Sequence, residues 1–261
     1  MSQSKSHPFV SASIVTYNNV NDMKTLLQNL YQLPSLLPKD IHIIDNGSTD
    51  GTLEMIHNFF PEVSLHPQNE NIGFGKGHNI VLPILSSDFH FIINPDIAFQ
   101  PAMVEGLLTY ISQNPKVVLL SPKVLFPNGE EQFLPKELPS VHYLAGGFFE
   151  RFGRPFTTWR STYTWNNKVI IDPTPISFAT GCFMVVSTKA YQQVKGFDPR
   201  YFMYMEDADL SRKMAALGDV IYHPDYTVTH FWQRDSSKHV ANTKYHLKSV
   251  WQYFKKWGWK W

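Results

Sequence analysis

Phe89-His90-Phe91-Ile92-Ile93-Asn94-Pro95-Asp96-Ile97 is a short apolar run halted by Asn-Pro-Asp. Such a run reads as a buried strand, and Pro95 forces the chain out of regular pairing. Asp96 is therefore expected at or just past the strand's carboxyl end, the edge at which open α/β sheets bind ligands. Taken alone, a turn that happens to contain an aspartate is the plainer reading.

The flanking chain supplies the context. Phe9 to Thr16 reads as a strand in which Ser11 and Ser13 alternate with apolar residues. Asp22 is expected to cap a helix bearing Met23, Leu26, Leu27, Leu30 and Tyr31. Ile41 to Ile44 forms a second strand, and Asp45 to Gly51 supplies turn chemistry before another helix. A short strand at Val63 to His66 and a glycine-rich loop, Asn69 to Asn79, come next. After the opening strand, Pro101 starts a helix and Val117 to Ser121 a strand. This alternation predicts a doubly wound, mostly parallel α/β sheet.

Beyond it, Asn128-Gly129 suggests a hairpin between Val124-Leu125-Phe126 and Gln132-Phe133-Leu134. Residues 135–175 carry many aromatics and Arg151, Arg154 and Arg160 without clear periodicity, and read as a long excursion over the sheet. Ile176 to Val186 returns to strand character, and a short helix near Lys189 to Val194 ends at Gly196. Glu206 to Leu217 reads as a helix ended by Gly218, and Val220 to His223 and Thr227 to Phe231 as late strands.

The 261 residues, 43% hydrophobic and 17% charged, describe a folded chain able to bury a full core. The polar start lacks an apolar h-region, and no apolar run reaches the length of a membrane span. The single cysteine, Cys182, excludes an internal disulfide, so a cytoplasmic protein is expected. The net charge of +1 divides into +6 from Arg234 onward and −5 before it. That asymmetry points the tail at an anionic membrane surface, with no nucleic acid among the expected partners.

Several side chains carry candidate chemistry. Asp45 and Asp96 both follow strands and should face one crevice. A carboxylate at Asp45 can accept the imino proton of a pyrimidine, although an Asx turn or helix cap would explain it too. The loop Gly73-Phe74-Gly75-Lys76-Gly77 is neither a Walker A nor a dinucleotide fingerprint. His230 reads either as a structural histidine or as a metal ligand beside Asp96. No HExxH or Cys/His cluster accompanies it, which argues against zinc. Glu206-Asp207-Ala208-Asp209 places three acids in one first turn, more than capping requires.

Six segments occur in order: Ser13-Ile14-Val15-Thr16-Tyr17-Asn18, Ile44 to Gly51, Asn71 to Asn79, Asn94-Pro95-Asp96, Ala179-Thr180-Gly181, and Gly196-Phe197-Asp198 with Glu206 to Leu210. Together the chain resembles a family 2 glycosyltransferase of the GT-A fold, most closely the bacterial rhamnosyltransferase-like branch. The resemblance implies inverting transfer of a sugar from a nucleotide-diphosphate donor. Thr16, Tyr17, Asn18 and Asp45 would hold base and ribose; Asn71, Gly73 and Lys76 would border ribose and phosphates. Asn94 and Asp96 would meet the diphosphate, and Asp96 with His230 would bind a divalent cation, Mg2+ or Mn2+. Asp207 would be the general base, oriented by Glu206, with Thr180 and Gly181 on the acceptor side.

One departure from the family pattern is informative: Asn94 stands where a second acid is usual. This lowers the expected metal affinity and, by resemblance, favours dTDP-L-rhamnose over a UDP-hexose or UDP-galactofuranose. A glycosyltransferase domain is expected over residues 1–233, with a nucleotide-sugar half at about 9–122 and an acceptor half at about 123–233. Residues 234–261 form a basic amphipathic tail in which Leu247, Val250, Trp251, Phe254 and Trp257 share helical spacing. Packing on the domain, contact with a bilayer that carries a lipid-linked glycan acceptor, and homodimerisation are its three readings.

Overall fold

A computed structural model describes residues 8–231 and 240–261, with backbone alone for 240–242. The polar start before Pro8, the expected boundary at 233/234, and the charges of Arg234, Asp235 and Lys238 lie outside the described residues.

Among the described residues nine strands form one sheet: β1 (Val10–Thr16), β2 (Ile41–Asp45), β3 (Ser64–Pro67), β4 (Phe89–Ile93), β5 (Ile97–Phe99), β6 (Val117–Leu125), β7 (Thr174–Pro175), β8 (Phe183–Ser187) and β9 (Asp219–His230). Their order is β3-β2-β1-β4-β8-β6-β9-β5, with β7 on β9. Strands β1 to β4 run parallel, as the alternating pattern predicts. β8 enters antiparallel between β4 and β6, and β6 pairs parallel with β9. The sheet is therefore mixed at its centre and parallel on the flank that carries the first motifs.

Period-two alternation assigns the two faces. Val10, Ala12, Ile14, Phe91, Ile93, Phe183 and Val185 meet α1 (Val20–Leu30), α2 (Thr52–Phe59) and α4 (Pro101–Gln113). Val15, Ile92, Met184 and Val186 meet α7 (Thr188–Gln193) and α8 (Glu206–Met214) on the other face. Ser11 and Ser13 are buried on that second face. Ser11 Oγ lies 2.7 Å from His90 Nδ1, while Ser13 Oγ lies 2.8 Å from His90 Nε2 and 2.6 Å from His78 Nδ1. Burial holds His78 at about 3 and His90 well below the usual histidine range, so both rings are neutral.

Several expectations are corrected. Asn19, not Asp22, precedes α1, and Asp22 lies within its first turn. The Asn128-Gly129 turn forms, with Phe126 N–H donating to Glu130 O, but pairing stops at one bridge, Leu125 to Glu131. β5 was not expected: it pairs antiparallel with β9, Ile97 opposite His230. The two late strands are one strand, β9, with an irregularity opposite Pro122 and Lys123. The strand expected over 176–186 regularises only at β8. The excursion contains α5 (Val141–Phe149) and α6 (Phe156–Thr164), whose interface is aromatic rather than aliphatic, which blurs their periodicity.

Helix α9 (Val240–Trp257) packs on the domain. Tyr253 and Phe254 are buried against Tyr163, Phe178, Tyr201 and Met205, with Val250 and Trp257 at the margin. Asp209 anchors the contact, accepting from Trp257 Nε1 at 2.7 Å and pairing with Lys256 Nζ at 2.6 Å. The expected apolar stripe therefore splits. Val250, Phe254 and Trp257 turn inward, whereas Leu247 and Trp251 remain more than half exposed, at 54% and 52%.

Candidate active site

A cavity of about 490 Å³ opens at the carboxyl ends of β1, β4 and β9. Its wall includes Thr16, Tyr17, Asn71, Gly73, Asn94, Asp96, Thr180, Gly181, Glu206, Asp207 and His230. These come from six chain segments, and topology alone unites them. Three other sequence candidates stand outside this lining. Asn18 is taken up by the neighbouring turn, its Oδ1 accepting from Thr49 N–H at 2.8 Å. Lys76 points outward from α3 (Phe74–Asn79) and is exposed. Asp45 is fully buried: Oδ2 accepts from Gly47 and Ser48 N–H at 3.1 and 3.0 Å, and Oδ1 has no protein partner. One oxygen thus makes the Asx turn, and the other is left for a donor from elsewhere.

Asp96 sits in the turn between β4 and β5. Pairing of β5 with β9 brings His230 beside it, with Nε2 3.3 Å from Asp96 Oδ1. Gln132 orients the ring. Its amide nitrogen donates to His230 O at 3.0 Å and Leu125 O at 3.3 Å, so its oxygen is the atom 3.0 Å from His230 Nδ1. Nδ1 must then carry the proton, and in the neutral ring Nε2 presents a lone pair toward the Asp96 carboxylate. Two acceptors at that separation need a shared proton or a cation. The donor set, one carboxylate oxygen and one imidazole nitrogen, suits a divalent ion that completes its shell with substrate phosphates. Among the described residues no third His, Cys, Asp or Glu joins the pair.

Elsewhere on the wall, Tyr204 and the adjoining Met205 adopt left-handed backbone conformations, φ 69° and 66°, immediately before α8. Strain of this kind costs about 1–3 kcal/mol per residue and persists where the surroundings enforce it. Here it turns the start of α8 to the cavity. Asp207 Oδ2 accepts from Gly181 N–H at 3.2 Å and Oδ1 from Ala208 N–H at 2.9 Å. Burial and the charge of Asp207 push Glu206 well above the usual carboxylate range. Burial also raises Asp207, but Lys136 and the two backbone donors oppose the shift. Of the two, Glu206 is therefore shifted further toward the neutral acid, while Lys136 and the backbone donors favour the ionised form of Asp207. The third acid, Asp209, serves the α9 contact.

The glycine-rich loop serves packing more than ligand approach. A Cβ on Gly77 would lie 2.6 Å from Val15 Cγ2, and one on Gly75 2.8 Å from Phe197 Cβ, so both let α3 press onto its neighbours. Gly73, with φ 91°, borders the cavity, and its added Cβ would sit 2.4 Å from Phe202 O. Asn71 shapes this loop by accepting from Gly73 N–H at 3.0 Å.

The wall also holds residues that sequence reasoning passed over: Gln132, Leu134, Lys136, Phe202 and Cys182. The first three recur at every second position, the signal of an extended segment with one face on the site. Lys136 spans the chemistry, its ammonium 5.0 Å from the Phe178 ring centre; burial lowers its proton affinity and Asp207 restores part of it. Cys182 is no nucleophile, since burial pushes its thiol up to about 12.

Residues 11–195 match the family described as Glycosyl transferase family 2. The chain is 30% identical over 245 residues to the N-acetylglucosaminyl-diphospho-decaprenol L-rhamnosyltransferase of Mycobacterium tuberculosis (strain H37Rv), covering 87% of this chain and 78% of that protein. It is 25% identical over 194 residues to rhamnosyltransferase WbbL of Escherichia coli (strain K12), covering 69% of each. Among solved structures, the mannosyltransferase PcManGT of Pyrobaculum calidifontis, in complex with GDP-Man and Mn2+, aligns with TM-score 0.63 at 14% identity over 96% of this chain and 65% of that one. GalNAc-T7 with UDP, GalNAc and Mn2+ aligns with TM-score 0.62 at 14% identity over 94% of this chain and 48% of that one. The chain thus spans less than two thirds of either structure's length, and these likenesses concern the fold.

Proposed function

The chain belongs to glycosyl transferase family 2, among its rhamnosyltransferase-like members, and we propose that it moves L-rhamnose from dTDP-L-rhamnose, with inversion, to a hydroxyl of a lipid-linked bacterial surface glycan. The observation that carries this reading is that Asp207 and the Asp96–His230 pair line one cavity. A transferase needs both: a base for the incoming hydroxyl and a place for the departing diphosphate.

In this mechanism Tyr17 and Thr16 hold the nucleoside, and the open oxygen of Asp45 serves the base. Asp207 takes the proton of the acceptor hydroxyl while the oxygen attacks the anomeric carbon and the bond to the diphosphate breaks. Glu206, neutral beside it, donates a hydrogen bond rather than a second charge. Lys136 favours the ionised form of Asp207 against the effect of burial. Asp96 and His230 would hold a divalent cation, which when bound offsets charge on the diphosphate. Mn2+ in the two similar structures supports a divalent cation in the reaction.

The names of the two relatives support the sugar, and that of the Mycobacterium tuberculosis protein supports a lipid-linked acceptor. Asn94 in place of a second acid favours the same donor. The outer face of α9, with Leu247, Trp251, Lys248 and Lys255, together with Trp259 and Trp261, suits an anionic bilayer surface at the inner face of the cell membrane. Among the described residues no helix is long and apolar enough to cross a membrane.

The test is a hydrolysis and binding screen of dTDP-rhamnose, UDP-galactose, UDP-galactofuranose and UDP-glucose, with and without Mn2+. Preference for dTDP-rhamnose is expected. Preference for a UDP sugar would reassign the donor, and failure to bind or cleave any of them would remove the transferase reading.

A further inference from the structure

Behind Glu206 and Asp207 lies a second cavity of about 350 Å³, bounded by α5, α6 and the start of α8. It shares Lys136, Tyr204, Glu206 and Asp207 with the donor cavity, so the two meet at the base. The character of its far wall is different. Arg160 enters from α6, and its position is set by close helix packing: a Cβ on Gly146 would lie 2.9 Å from Arg160 N. Its Nη1 runs across Gly147, 3.5 Å from where a Cβ would stand.

Among the described residues neither Arg160 nor Lys136 has a carboxylate at ion-pair distance. Glu206 is neutral through burial and the Asp207 charge, which leaves Glu150 at the exposed rim as the remaining acid beside Asp207. Two cations in a partly enclosed, aromatic-walled cavity call for an anion larger than the neighbouring carboxylate. Beyond the rim, Phe148, Phe149 and Phe152 remain 49%, 47% and 61% exposed, flanked by Arg151 and Arg154. Phe148 lines the cavity and stacks on His246 of α9, and Phe149 and Phe152, next along the chain, contact each other at 6.2 Å between ring centres.

We propose that this cavity holds the diphosphate of a polyisoprenoid-linked acceptor, with Arg160 and Lys136 on the phosphates and Phe148, Phe149 and Phe152 under the first isoprene units. The inference rests on the glycosyltransferase reading, because it needs an acceptor sugar hydroxyl beside Asp207. Arg160 is a positioning residue: a guanidinium grips phosphate through a planar fork of donors. The order of groups follows the cavity, with sugar at Asp207, diphosphate at Arg160 and hydrocarbon on the phenylalanine ridge.

The test uses the full chain with the donor site saturated by dTDP and follows binding of farnesyl diphosphate, farnesol and inorganic pyrophosphate by calorimetry. Farnesyl diphosphate is expected to bind the dTDP-loaded protein, and farnesol to bind far more weakly. Arg160→Met should weaken farnesyl diphosphate and pyrophosphate by about tenfold or more, the scale of a charge-assisted contact, while dTDP affinity stays unchanged. Arg160→Lys should recover part of the loss. Phe148→Ser should weaken farnesyl diphosphate and leave pyrophosphate alone. Equal binding by wild type and Arg160→Met, or complete displacement of farnesyl diphosphate by dTDP, would overturn the assignment. Failure of the wild type to bind dTDP or cleave any nucleotide sugar would instead count against the glycosyltransferase reading.

Discussion

Asp96 Oδ1 and His230 Nε2 lie 3.3 Å apart although 134 positions separate them in sequence, because β5 and β9 pair with Ile97 opposite His230. Gln132 Oε1 lies 3.0 Å from Nδ1, so in the neutral ring Nε2 faces the Asp96 carboxylate as an acceptor. Removing that control should disturb the ion before it disturbs the nucleotide. Gln132→Ala is expected to lower Mn2+ affinity in the presence of dTDP about 10–100-fold, the usual scale for a group that orients a ligand. Metal-free dTDP binding should stay near wild type, and Asp96→Ala should weaken both. Manganese titration by electron paramagnetic resonance would decide; an unchanged Mn2+ affinity in Gln132→Ala would detach the residue from the site.

Asp207 is expected to be the base, so Asp207→Asn should retain dTDP binding and lose about 10²-fold or more in turnover. The pH dependence has a definite sign. Activity needs the ionised carboxylate, and burial raises Asp207 above the ordinary aspartate value. The acid limb of kcat/KM should therefore lie higher than a solvent-exposed aspartate would give. Lys136 opposes that rise, so Lys136→Met should move the limb further toward neutral pH. A limb that stayed in place would show that Lys136 does not act on the base.

Lys256 joins α9 to the domain through Asp198 at 2.8 Å and Asp209 at 2.6 Å. Lys256→Met strands buried carboxylate and should cost about 3 kcal/mol, or roughly 6–12 °C in melting temperature. The Asp198 carboxyl is held far below its usual range by Arg200 first and Lys256 next. Its stabilising contribution is complete above the unfolded value near pH 4 and is lost as pH falls toward the folded one. Wild type should accordingly lose stability on acidification below about pH 4, and Asp198→Asn should flatten that slope. Thermal melts across pH 2–6 would test both.

Membrane contact can be separated from packing because α9 has two faces. Deleting the helix would remove Tyr253 and Phe254 and uncover Tyr163, Phe178, Tyr201 and Met205, whereas Leu247 and Trp251 are exposed already. Leu247→Ser with Trp251→Ser should reduce sedimentation with anionic vesicles while leaving the melting temperature within about 2 °C, since exposed positions contribute little to stability. Full retention on vesicles would leave α9 a purely structural helix.

The first half of the fold was legible because its strands and helices are local patterns. β1, β2 and β4 are short, largely apolar runs closed by turn residues, and their carboxyl ends share one sheet edge because the strands run parallel. Asp96 was named from such a position, Asp207 from the acidic first turn of a helix and His230 from a late strand. The segment 124–136 was misread because Asn128-Gly129 makes a turn without supplying a partner strand. Whether Gln132, Leu134 and Lys136 face a site depends on β9, almost a hundred residues away along the chain. The tail failed for a related reason. Helical spacing grouped Trp251 with Phe254, but the buried arc is set by what Asp209 and Tyr163 offer.

By itself, then, the sequence determined the alternation of strands and helices, the residues at the strand ends and the order of the motifs, since these depend on interactions within a few positions. Tertiary structure alone decided that Asp96 meets His230, that Gln132 meets the imidazole's Nδ1, and that Lys136 and Arg160 line one cavity with Asp207. Those relationships arise from strand pairing and helix packing between segments far apart in the chain. No local pattern encodes them, because a side chain's direction is settled by the partner that buries its neighbours.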